Sequence, residues 1–154
     1  MDDATFWGLI SKLNWKYEGN DEKVVAPVVK ALAALPEAEI AEFQNALTLK
    51  LYAIDGRAWA RESGETVWWG EPDSLSEDGF LYSRCAVVAN GPEFFDSVLG
   101  DCKQMPKDIE FEALLYVAPT AFERKTGRDG DEVRDKAGVS YETYSNKACW
   151  QHGT

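Results

Sequence analysis

The chain has 154 residues, 45% of them hydrophobic, with 16 Lys+Arg against 27 Asp+Glu and a formal net charge of −11. The apolar share excludes a disordered chain, and the length lets one domain bury roughly 68–70% of its unfolded surface without disulfide or metal. The negative charge is carried by both halves, with 7 basic and 14 acidic residues in 1–77 and 9 and 13 in 78–154. It argues against binding to nucleic-acid phosphates or to an anionic membrane.

Helical spacing dominates in chain order. Phe6, Ile10 and Leu13 lie at i, i+4 and i+7, and Asp2 or Asp3 can cap that helix. A turn follows at Tyr17–Asn20. Val24, Val28, Ala31, Leu32 and Leu35 form a second stripe, in which Pro27 marks either a helix start or a kink. Pro36 opens the clearest helix. Its stripe of Ile40, Phe43, Leu47, Leu51, Ile54 and Ala58 predicts one run through Gly56, which a close helix crossing would explain. Residues 63–73 read as a loop, and Ser74 with Glu77 forms a capping box for a helix carrying Phe80, Leu81, Val87 and Val88. Asn90-Gly91 stops it, and Pro92 starts a short helix ended by Gly100. Asp108 is the expected cap of a helix over Phe111, Leu114 and Leu115. Pro119 kinks that helix or begins another, which Gly127 ends. The tail from Arg128 is polar and poor in aliphatic residues. The expectation is an all-α, single compact domain of six or seven helices over residues 1–127, with an extended polar tail over 128–154, carrying Tyr141, Tyr144 and Trp150, that stands free or drapes over the helices.

No run approaches the roughly 20 apolar residues of a membrane span. The acidic start is unlike a secretory signal, so cytoplasmic residence is expected. Cys85, Cys102 and Cys149 are odd in number and irregularly spaced, which implies reduced thiols.

Phe6-Trp7-x-x-Ile10-x-x-Leu13, Gly79-Phe80-Leu81-Tyr82-Ser83-Arg84-Cys85, Val88-Ala89-Asn90-Gly91, Met105-Pro106-Lys107-Asp108 and Phe111–Tyr116 together give the chain a recognisable signature. Over about residues 1–127 it resembles domain-of-unknown-function family 4240, an uncharacterised bacterial family common in actinomycetes. The segment Tyr141–Asn146 is similar to the ends of some longer members. The resemblance implies a helical fold and carries no activity.

No catalytic motif is present. Cys149-x-x-His152 has the gap of half a zinc site, yet a full site needs two further ligands, and no metal or cofactor is expected. Cys85, inside Cys85–Ala89, reads as a buried inert thiol. Asp55 and Arg57 interrupt the apolar run Leu51–Trp59, and Tyr82 and Arg84 interrupt Phe80–Ala89. Charges placed so need partners. Asp55 and Arg84 pair across two helices to fix their register, or the four residues line a polar pocket with Arg57 and Arg84 as anion contacts. Trp68 and Trp69, flanked by Glu65 and Glu71, plug the core or form an exposed binding hot spot.

Two functions fit. One is an acidic helical protein-binding module, a regulator, adaptor or immunity-type inhibitor, that docks on a basic partner. The other is a small enzyme or accessory ligand-binding protein whose pocket gathers Asp55, Arg57, Tyr82 and Arg84. The first leads, because catalytic signatures are missing. The sequence fixes no oligomeric state.

Overall fold

The computed structural model describes residues 1–64 and 75–151. Those residues form eight α-helices and no β-strand, so the all-α expectation holds. No helix among them is long and apolar enough to cross a membrane. The chain is organised as two compact units, one of residues 1–48 and 113–138, the other of residues 49–112 and 139–154.

The first unit begins with α1 (Asp3–Ile10), where the Asp2 side chain accepts from Thr5 N at 2.8 Å as the expected cap. A 3₁₀ turn at Trp15–Tyr17 leads to α2 (Asp21–Ala33), capped by Asn20. Pro27 lies inside α2 and does not open it. The helix is already nucleated by its capped first turn. Val24, Val28 and Leu32, all at 0% exposure, anchor it past the missing donor. Next comes α3 (Glu37–Ala53), whose residues up to Thr48 belong to this unit. The unit is completed by a 3₁₀ stretch, Glu112–Tyr116, from its second residue onward, and by α7 (Val117–Thr126). Pro119 falls in the first turn of α7, where a missing N–H costs nothing. Gly127, at φ 70°, closes the helix in the left-handed conformation that glycine adopts freely. α2 packs on α7 and α1 on α2, around Phe6, Ile40, Phe43 and Leu47.

The second unit contains three departures from the sequence reading. The run expected to continue to Ala58 breaks at Ile54-Asp55-Gly56, and a separate helix α4 (Arg57–Glu62) follows. The break turns the Asp55 carboxylate inward. Gly56 is extended, and a Cβ there would lie 2.7 Å from Cys149 Cβ and 3.0 Å from the Trp59 ring, so close approach explains the glycine. α5 (Glu77–Ala89) is capped by Ser76, whose hydroxyl accepts from Gly79 N; Ser74 lies outside the described residues. Asp108 caps nothing. It sits in a loop at φ 55° and donates its N–H to Ser63 O, while Phe111 N donates to Tyr82 O. α6 (Pro92–Gly100) follows α5 as expected.

The tail holds more local structure than an extended segment, with a 3₁₀ turn at Gly130–Glu132 and the short α8 (Lys147–Trp150). Its residues up to Gly138 belong to the first unit and those from Val139 to the second, where α8 packs on α4.

Candidate functional site

The charged residues that interrupt the apolar runs meet inside the second unit. Asp55 and Arg84 are both 0% exposed. Their closest charged atoms are 3.9 Å apart, which is an ion pair but not a hydrogen bond. The short bonds of Asp55 come instead from residues 143–150, which cross the unit as a strap. Oδ1 accepts from Tyr144 N at 3.2 Å and from Trp150 Nε1 at 2.8 Å, and Oδ2 accepts from Asn146 N at 2.9 Å. Tyr144 adopts φ 74°. That conformation costs a bulky residue about 1–3 kcal/mol and turns alternate main-chain N–H groups toward one point, an anion-binding nest.

Arg84 is held independently. Nη1 donates to Leu51 O at 2.9 Å, and Nη2 donates to Thr143 Oγ1 at 3.1 Å. The Thr143 hydroxyl in turn donates to Glu77 O at 2.7 Å. The guanidinium lies 4.8 Å from the Phe80 ring centre. Burial pulls its pKa down, and the Asp55 carboxylate opposes that shift. Asn146 Nδ2 donates to Tyr52 O, and Trp150 packs edge-on against Tyr144 and Phe80 at 4.5 and 5.9 Å. The arrangement closes a strap over a buried charge pair. Neither charge reaches solvent, so neither is placed to meet a substrate.

The other sequence candidates are dispersed. Arg57 and Tyr82 are half-buried, and both make interactions of their own. Trp59 donates its indole N–H to Val98 O at 2.8 Å. Trp68 and Trp69 of the loop reading and His152 of the half-zinc reading lie outside the described residues. Phe6, Phe43, Phe80 and Phe111 are buried as expected, while Trp7 is half-buried. Sequence reasoning allowed the tail to drape over the helices and missed its bonds to Asp55. The available signal was Tyr141, Tyr144 and Trp150 in an otherwise polar tail, together with an aspartate that needed donors.

Cys85 is fully buried, and burial pushes its thiol up to about 12. Iodoacetamide at about pH 8 is therefore expected to modify the half-buried Cys102 and Cys149 and to spare Cys85 in the folded protein, as peptide mass mapping reads out. The folded pKa lies above the ordinary thiol value of 9.0. The contribution of Cys85 to stability is thus complete below that value and is lost as pH rises toward about 12.

No curated protein and no solved structure matches the chain significantly. A family model does match, over residues 1–124, which takes in Asp55 and Arg84 and stops short of the strap. The chain therefore belongs to the family described as a protein of unknown function (DUF4240).

Proposed function

We propose that this chain is a non-catalytic, acidic, cytoplasmic helical module that docks on a basic protein partner. One observation carries the reading: Asp55 and Arg84, the charges buried in the fold, are bonded internally, with only Arg84 Nε of the pair left without a bond, while other acids stand outside. Asp55 and Arg84 are sealed under the strap. By contrast Glu77 and Asp78 on α5, and Glu93, Asp96 and Asp101 on and after α6, are all exposed. No basic residue lies between Arg84 and Lys103 in the sequence. Such a surface steers association with a cationic partner. Trp68 and Trp69 supply the apolar contact in this reading. Three free cysteines support residence in a reducing compartment. The pocket reading is less supported, because two of its four residues are inaccessible to water.

The test is quantitative. A partner captured from a lysate of the source organism is purified and titrated against the chain at about 50 and about 500 mM salt. Affinity is expected to fall by at least tenfold across that range. Neutralising Glu93, Asp96 and Asp101 together is expected to slow association several-fold while leaving dissociation nearly unchanged. Salt-independent binding, or full association by the neutralised variant, overturns the reading.

A further inference from the structure

The first unit carries a groove of about 380 Å³ between the start of α3 and residues 132–136. Its floor is apolar and is made of Ala38 and Ala41 of α3, Phe122 of α7 and Val133. Three contacts fix the far wall. Lys136 N donates to Asn45 Oδ1 at 2.6 Å, the Asp135 carboxylate accepts from the Thr48 hydroxyl, and Arg128 pairs with Glu37. Arg128 also lies 4.7 Å from the Phe122 ring centre and 3.6 Å from Glu132, so it closes over the aromatic floor.

The groove does not share the acidic excess of the chain: its lining holds two acids, Glu37 and Glu132, against two bases, Arg134 and Lys136. Its acids are committed: Glu37 and Glu132 face Arg128, and nearby Glu42 holds the Met1 amino group at 2.9 Å. That amino group holds the Glu42 carboxyl below its usual range, with Lys136 as a smaller contributor. Arg134 and Lys136 are exposed and have no ion-pair or hydrogen-bond partner for their side chains among the described residues. On a chain of net charge −11, a preformed apolar groove therefore presents two cations that no ion pair or hydrogen bond engages among the described residues, Lys136 standing in the field of Glu42 as well. The volume lies within the range of about 300–1,000 Å³ typical of small-molecule sites.

We propose that this groove binds an amphipathic carboxylate, a small organic acid whose hydrocarbon body rests on Ala38, Ala41, Phe122 and Val133 and whose carboxylate faces Arg134 and Lys136. The apolar floor selects the body, and the free cations select the sign of the head group. The proposal is independent of the docking surface on α5 and α6.

The experiment titrates the ¹⁵N-labelled full chain with octanoate, octan-1-ol and octylammonium. Octanoate is expected to saturate and to move the amide signals of residues 37–41 and 133–136. Octylammonium, with the same tail and the opposite charge, is expected to bind at least tenfold more weakly, and octan-1-ol to fall between. Arg134→Gln with Lys136→Gln weakens octanoate by about fivefold, the scale of two exposed charge contacts. Ala41→Leu fills the floor and weakens all three ligands. Shifts confined to other residues, octylammonium binding as tightly as octanoate, or a double variant of unchanged affinity overturns the proposal.

Discussion

Asp55→Ala is expected to cost about 3–5 kcal/mol of unfolding free energy, measured by urea denaturation. The carboxylate is 0% exposed and accepts all three of its short hydrogen bonds from the strap. Alanine leaves the buried Asn146 N and the half-buried Tyr144 N and Trp150 Nε1 without their acceptor, and leaves the Arg84 guanidinium without its counter-charge. These losses belong to one contacting network and do not add, so the total stays on the scale of breaking a buried pair. Arg84→Met is the informative contrast. It removes a charge partner 3.9 Å away but leaves every short bond of Asp55 in place, and methionine keeps most of the stem packing. About half the loss of Asp55→Ala is expected. The double variant recovers only the part due to the uncompensated guanidinium, because the strap donors remain unpaired. If Arg84→Met costs as much as Asp55→Ala, the ion pair holds the site together and the strap's nest does not.

This asymmetry marks where sequence reasoning stopped. The apolar stripes on α2, α3 and α5 are periodic, and their buried residues were legible because burial of a helix face leaves a 3.6-residue rhythm. Asp55 and Arg84 stood out for the same reason, as charges in apolar runs, and their pairing followed from the cost of burying either alone. The break at Gly56 was not legible. Its cause is the approach of Cys149, some ninety residues along the chain, and the Ile54–Ala58 spacing remains helical whether or not the helix continues. The bonds of the strap to Asp55 were hidden for a related reason. It bonds through the main-chain N–H groups of Tyr144 and Asn146, and a main-chain donor leaves no trace in residue type. The α5 cap was misplaced by two residues, since Ser74 and Ser76 are chemically equal and only the geometry of Gly79 N chooses between them. The groove was invisible because its floor uses alanines, which carry no pattern, and its cations are ordinary surface residues until the neighbouring acids are seen to be engaged.

Phe43→Ala is expected to destabilise the first unit by about 3–5 kcal/mol. Phe43 is 0% exposed, and its ring lies 5.1 Å from that of Phe6 at an interplanar angle of 32°. Truncation removes the ring's transfer energy and leaves a cavity walled by helices that cannot close on it, so the loss exceeds the transfer term alone. Urea denaturation gives the magnitude, and hydrogen exchange gives the place, with amide protection lost first in α1 and α2. A loss below about 1.5 kcal/mol would mean that the packing around Phe6 collapses to fill the space. The same variant separates stability from binding. On α3 the buried stripe runs through Ile40, Phe43 and Leu47, while Ala38 and Ala41 line the groove. Phe43 lies two residues from Ala41, about 200° around the helix, so its side chain points away from the groove floor. Under conditions where Phe43→Ala is still folded, octanoate affinity should match that of the parent chain. A variant that weakens in stability and keeps its ligand places the core and the groove on opposite faces of one helix, with the core setting how long the helix persists and the alanine face setting what it holds.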